Sequence, residues 1–546
     1  MSTEQLKEQS LFLGGSFSAK HWLQILFVII LLIGVFFRVV NLDKKPVWVD
    51  ETHTFSVISG YSDSEVIEKF SSQTPVDVET FLKYQYPNPD KNLGDSFYKL
   101  YTDVHPPLYF LIARTFVNWF GDSVKVLRSA SAFLSILTIP AIYWLCLELF
   151  QSSSVAQVAT ALFCVSPFQV LYAQEARPYS LFTLVVLLSG ASLFWAMRTK
   201  RRLPWFVYSA SVALGLYSQF FFLFVIFGYL IYVFAVESFR FTKRIQSFLL
   251  ANLVGFTAFL PWLITVLIHL SDFKGKSSWI LNHKLSILGA VRLWSENISL
   301  SFVDPRASEY FGFGRFGLYF LIPFIVILAI YSLYFLCTKT SKHAYLFVLT
   351  LFASTALPLI VADLILGGNR QIWPRYLIPC FIGVQISVSY LLATKTFSLD
   401  LAHTNRKRRL WLLITVTFVT AGILFSSVIA QANTWWNKYE GGVIIQIAQL
   451  VNQAEDPLVI VNRSRPASVL YYEFDPDVRL LFVSDQKLEV DPSQMDGSIF
   501  LLNPSDALKS EFDPLLDIEL LAQFPNPGPV PGKPTELWKA EKRFAK

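Results

Sequence analysis

The feature that most constrains this chain is a recurring length rather than a motif. Blocks of about 20 apolar residues repeat through its first 430 positions, each long enough to cross a hydrocarbon layer about 30 Å thick. Apolar runs bounded by charges or Pro/Gly clusters fall at 22–40, 124–148, 154–172, 179–197, 203–218, 219–237, 247–269, 315–337, 344–366, 376–394 and 410–430. The pair 203–237 fits two crossings with a tight turn near Tyr217–Gln219 better than one long helix. About 11 crossings follow. Only 16% of the residues are charged, against roughly 25% in a soluble domain. Disordered, collagenous, disulfide-scaffold and ordinary cytosolic classes are excluded, and an α-helical polytopic membrane protein is expected. Cys146, Cys164, Cys337 and Cys380 lie singly in apolar segments and suggest neither a metal site nor a disulfide framework.

Basic residues set the orientation. Arg198, Lys200, Arg201 and Arg202; Arg240, Lys243 and Arg244; Lys339 and Lys342; and Arg406 to Arg409 sit at alternate junctions. Lys/Arg-rich short loops stay cytoplasmic. All four clusters share one side only if the N-terminus is cytoplasmic and the tail is outside. The first span has no small-residue cleavage site after it, so it is expected to be a retained anchor.

Three polar regions then face outward: a first loop at about 41–123, a loop at about 270–314 and a tail from about 431. Within the first loop, His105 to Phe120 is short, apolar and interrupted by Arg114, which suits an interfacial helix. In the tail, strand-length runs (Leu458–Val461, Leu480–Val483, Ile499–Leu502, Ile518–Ala522) alternate with a helix-like Gly442–Gln453 and with turns at Asn503-Pro504 and Pro525-Asn526-Pro527-Gly528. A small C-terminal extracytoplasmic α/β domain over 431–546 is expected, beside a membrane domain over 1–430. No nucleotide-binding fingerprint occurs, and no nucleic-acid partner is implied.

Four polar elements lie at outer ends of spans. Asp50 and Glu51 follow the first span beside Trp48, where a partly dry carboxylate can serve as a base. His105-Pro106-Pro107 heads the interfacial segment, its backbone restricted by the prolines. Gln174-Glu175-Ala176-Arg177-Pro178-Tyr179 joins two spans. Gly367 to Tyr376 places Arg370 and Arg375 outside, against the usual depletion of positive charge. An anion there gives one explanation, since guanidinium matches phosphate geometry; snorkelling to outer headgroups gives another. Together these elements suit group transfer from a membrane-dissolved phosphate carrier.

In order and position, Trp48-Val49-Asp50-Glu51, His105-Pro106-Pro107-Leu108-Tyr109, Gln174 to Leu181 and Pro374-Arg375-Tyr376-Leu377 resemble the GT-C glycosyltransferases. The narrower resemblance is to family 39, which includes protein O-mannosyltransferases and the lipid A aminoarabinose transferase. It covers about residues 20–395 and leaves the tail unplaced. The 270–314 loop lacks a long MIR-type insertion. The resemblance implies hexosyl or pentosyl transfer from a polyprenyl-phosphate sugar to a lipid, glycan or protein acceptor on the outer side of a cell membrane. It implies Asp50 as general base, with Glu51 orienting the acceptor or supporting Asp50, and inversion at the anomeric carbon. Arg375, Arg370, Arg177 and His105 would hold the donor phosphate. Trp48, Tyr109, Glu175, Tyr179 and Tyr376 would line the substrate pocket, among membrane lipids. Some relatives by fold use divalent ions, but no third ligand accompanies Asp50 and Glu51, so chemistry without metal is expected. The alternative is a transporter or flippase of a lipid-linked glycan. Coupled transport, however, usually places ionisable groups near the midplane, where these spans are nearly uncharged.

Overall fold

The computed structural model describes residues 3–546 apart from 71–73, 103–104, 270–285, 305, 307–313, 398–404, 463–468, 484–494, 513–515, 526–532 and 543–546. Much of the expected 270–314 loop and most of the turn after Pro525 therefore lie outside the described residues. Each of the eleven apolar segments is helical. Among the described residues, eight helices are long and apolar enough to cross a membrane. A ninth span is a pair, Ser153–Cys164 and Pro167–Ala173, bent by 56° at Pro167. Helices Leu203–Ser218 and Phe222–Val236 have 16 and 15 residues. At 1.5 Å per residue they reach only about 22–24 Å, short of a full hydrocarbon layer. The count is thus eight or nine by length and composition rather than about 11.

Two helices form the centre of the bundle. Tyr179–Arg198 and Ile378–Phe397 are almost wholly buried, whereas His21–Val39 leaves most of its apolar surface exposed. The buried pair is rich in small residues, which let neighbouring backbones approach. At Gly190 an added Cβ would lie 2.8 Å from the Phe347 ring. The four basic junctions gather at one end of the bundle. There Arg198 pairs with Glu148 at 2.8 Å, Arg244 with Glu237 at 3.1 Å, and Lys342 donates to the Ala235 carbonyl at 2.8 Å. Asp50, Arg177 and Arg375 belong to helix ends at the opposite pole.

The Leu108–Phe120 helix buries Tyr109, Phe110, Ala113, Arg114 and Val117 on one face and leaves Trp119 and Phe120 exposed. Arg114 donates to the Ile58 and Lys91 carbonyls and to Ser96, tying this helix to the rest of the first loop.

Among the described residues six strands make one mixed sheet: β1 (Val76–Asp77), β2 (Pro457–Asn462), β3 (Arg479–Val483), β4 (Ser498–Leu502), β5 (Leu516–Phe524) and β6 (Thr535–Lys542). Their order is β1-β3-β2-β4-β6-β5, with β2 parallel to β3 and β4 and the remaining pairs antiparallel. Alternation along the strands gives two apolar faces. Val459, Leu480 and Phe500 pack with Ile444, Ile447 and Val451 of helix Gly441–Asn452; Leu458, Leu481 and Leu501 pack with Leu508 and Phe512. The unit is not built from the tail alone. β1 comes from the first loop, and Phe70, Val78 and Phe81 complete one of its cores. A few apolar residues in a polar loop carry no sign of the sheet they will join.

Candidate active site

Helix Val49–Ser59 opens just after the first span, with Trp48 extended before it and both carboxylates in its first turn. A helix N-terminus favours negative charge there. Consecutive positions on a helix point in different directions, so Asp50 and Glu51 have separate surroundings.

Glu51 is fully buried. Arg128 meets it with two parallel contacts, Nε to Oε1 at 2.8 Å and Nη2 to Oε2 at 2.7 Å. The Ala176 amide donates to Oε1 at 2.9 Å, and Lys438 Nζ donates to Oε2. The remaining Arg128 donors reach the Leu42, Lys45 and Pro46 carbonyls. Burial alone would raise the Glu51 carboxyl, but Arg128 and Lys438 outweigh it and hold the group at about 2.

Gln174 to Pro178 is positioned by the bent helix pair ahead of it. Gln174 donates to the Phe37 and Val40 carbonyls at 2.8 Å, fixing this segment to the end of the first span. Thr54 Oγ1 donates to the Ala176 carbonyl at 2.8 Å. Glu175 is buried and accepts from Asn437 Nδ2 at 3.0 Å. Burial pushes its carboxyl up to about 7, with Lys438 opposing and the charges of Glu51 and Asp50 reinforcing the rise. A carboxyl whose folded value exceeds its unfolded one retains a proton that the unfolded chain loses. Stability should therefore fall as pH rises from about 4.5 to about 7. The unfolding temperature followed across that window should decline, and Glu175→Gln should flatten the slope. An unchanged slope in the variant would remove Glu175 as its source.

Asp50 is the more open carboxylate, its side chain 25% exposed. Arg375 Nη1 lies 3.2 Å from its Oδ2, Tyr179 donates to the same oxygen at 3.4 Å, and Arg177 donates to the Asp50 carbonyl at 3.1 Å. Arg375 stands over Trp48, Trp373 and Tyr376, at 5.5, 4.8 and 5.4 Å from their ring centroids. Such cation–π contacts fix the direction of a guanidinium.

Asp50, Arg177, Tyr179, Arg375, Trp48 and Tyr376 thus converge. Three other expected residues make the following contacts. Arg370 Nη1 pairs with Asp363 at 2.7 Å and donates to the Gly367 carbonyl at 2.8 Å, at the end of helix Lys342–Leu366. His105 packs on His53, ring centroids 4.8 Å apart. Tyr109 is fully buried and shares a hydrogen bond with Ser131 at 2.8 Å.

Beside Arg375 opens a cavity of about 750 Å³, walled by Trp48, Glu175, Trp373, Arg375, Trp436 and Asn437. Gln446 and Phe524 close it from the C-terminal unit, and Glu296 and Arg306 stand at its far wall. Arg306 lies over Trp436 at 4.2 Å, and Asp304 accepts from the Trp435 and Trp436 indoles at 2.8 and 2.6 Å. Asp50 and Glu51 do not offer a cation a carboxylate pair, because Arg128, Lys438 and Ala176 occupy the Glu51 oxygens. Among the described residues no group of three His, Cys, Asp or Glu stands ready to bind an ion. The donor set at this position does not fit a resident divalent metal.

Crystal structures of ArnT from Cupriavidus metallidurans match the chain over almost its whole length. The apo form aligns with a TM-score of 0.55 at 13% identity, covering 96% of this chain and 98% of ArnT. This is the GT-C fold. ArnT bound to undecaprenyl phosphate aligns with a TM-score of 0.53 at 12% identity, covering 96% and 98%. An Archaeoglobus fulgidus oligosaccharyltransferase aligns more loosely, with a TM-score of 0.47 at 13% identity, over 84% of this chain and 59% of its own. Residues 104–265 match the dolichyl-phosphate-mannose-protein mannosyltransferase family. No curated protein matches the sequence.

Within this GT-C fold, several site residues escape the sequence reading. Arg128 sits five residues into an apolar helix, and an ionisable group in such a place is itself a signal. Lys438 and Asn437 follow the last span, 387 and 262 positions from their partners Glu51 and Glu175. Asp304 and Arg306 carry no local signal, because Trp435 and Trp436, which give them their setting, lie some 130 residues later.

Proposed function

We propose that this GT-C protein is a membrane glycosyltransferase that moves a sugar from a polyprenyl-phosphate donor to an acceptor on the extracytoplasmic face. The carrying observation is the meeting of Asp50 and Arg375, 325 positions apart in sequence, at 3.2 Å beside a walled cavity. Asp50 takes the proton of an acceptor hydroxyl. The acceptor oxygen bonds to the anomeric carbon as the bond from that carbon to the phosphate oxygen breaks. The leaving lipid phosphate carries the negative charge to Arg375, supported by Arg177. One base and a direct displacement invert the anomeric centre.

The basic junctions at the opposite pole support an orientation with the N-terminus cytoplasmic and the C-terminal unit extracytoplasmic. The undecaprenyl phosphate in the similarly folded ArnT supports a lipid phosphate as ligand class. The direct test is binding of undecaprenyl phosphate to the full chain in nanodiscs. A hydrogen bond to a charged group contributes about 1.5–3 kcal/mol, so Arg375→Ala should weaken binding about 10- to 100-fold. Arg370→Ala should leave it near wild type, because that guanidinium serves Asp363. Equal affinities in wild type and Arg375→Ala would end the phosphate assignment.

A further inference from the structure

Glu175 and Asn437 come from distant parts of the chain and join through one hydrogen bond, Asn437 Nδ2 to Glu175 Oε2 at 3.0 Å. Their other oxygens, Glu175 Oε1 and Asn437 Oδ1, are buried and have no hydrogen-bond partner among the described residues. Glu175 is fully buried and Asn437 is 7% exposed. Both line the cavity that has Arg375 in its wall. Buried acceptors are ordinarily satisfied, and two adjacent unsatisfied ones call for a ligand with neighbouring donors. Hydroxyl groups on adjacent ring carbons have that form. The linking bond holds the carboxyl and the amide together, and above about pH 7, where Glu175 is ionised, their free oxygens act as one two-point acceptor.

We propose that Glu175 and Asn437 form a hydroxyl-reading subsite for the glycosyl ring of the lipid-linked donor, each free oxygen accepting from one of two neighbouring ring hydroxyls. The inference rests on the donor reading above, since a phosphate at Arg375 would place the attached ring in the same cavity. The volume of about 750 Å³ lies within the range of small-molecule sites. Asn437 stands just ahead of helix Gly441–Asn452, so the segment leading into the C-terminal unit supplies half of the subsite.

The cavity carries its own reporter in Trp48, Trp373, Trp435 and Trp436. Their fluorescence can be titrated in the full-length protein in nanodiscs with undecaprenyl phosphate, mannosyl undecaprenyl phosphate and arabinosyl undecaprenyl phosphate. At least one glycosylated lipid should bind about tenfold tighter than the bare phosphate, as expected of a site built to bond hydroxyls. In Asn437→Leu that ratio should fall towards one while the bare lipid binds as in wild type. Glu175→Gln should lower the ratio as well. Deoxy analogues lacking one or other neighbouring hydroxyl, bound to the wild type, test the same point without any variant and should lose most of the gain. No sugar-dependent gain, or a gain unchanged in both variants and with the deoxy analogues, overturns the subsite and leaves the phosphate reading intact. Binding of none of the three lipids overturns the donor reading and the subsite with it.

Discussion

Asp50→Asn should lower the rate of sugar transfer by about 10²–10⁴-fold, the usual contribution of one positioned base, while the protein folds and binds undecaprenyl phosphate. The side chain is partly exposed, and its described contacts are Arg375 at 3.2 Å and Tyr179 at 3.4 Å. An amide of the same shape keeps an oxygen for both partners but cannot accept the acceptor's proton. The loss should therefore lie in kcat rather than in the donor's KM. The measurement is transfer of labelled sugar from mannosyl or arabinosyl undecaprenyl phosphate in proteoliposomes, beside unfolding temperature and lipid binding. A variant that turns over within tenfold of wild type would remove Asp50 as the base. Intact lipid changing leaflet, with no sugar leaving it, would favour the flippase reading instead.

Legibility in the sequence followed the range of the interactions involved. The eleven helical segments were readable because their signal is local, a run of mostly apolar residues at each site. Four strands of the tail were readable for the same reason. β6 was not, because Thr535-Glu-Leu-Trp-Lys-Ala-Glu-Lys542 alternates charge with apolar residues and lacks a continuous run. β1 was not, because two residues take their strand character wholly from β3. At the site, Asp50 and Arg375 stood out because each sits beside a span end where its charge needs a reason. Arg370 shared that signal and proved to bind Asp363, seven positions earlier. Position relative to the membrane therefore marks a charge as notable without naming its partner. The partner set of Glu51 lies 77 and 387 positions distant, beyond any local pattern.

Glu51→Ala should be the most destabilising single change at this site, by about 3–5 kcal/mol, the range for breaking a buried ion pair by removing one partner. The carboxylate faces two cations, both almost wholly buried, so its removal leaves two like charges together without water. Glu51→Gln should also destabilise, because an amide cannot answer both Arg128 and Lys438. A double variant tells charge from packing. If uncompensated charge dominates, adding Lys438→Met to Glu51→Gln removes one stranded cation, and the pair should cost less than the sum of the singles. If packing dominates, the losses should add. Unfolding of each variant in detergent, read by loss of tryptophan fluorescence, measures both cases. Activity should vanish with the fold in Glu51→Ala, since the same cluster ties the Asp50 helix to Ala176 and to Lys438 at the entry of the C-terminal unit. Glu51 thus acts on Asp50 by holding the helix that aims it, and a Glu51→Ala protein of wild-type stability would refute that role.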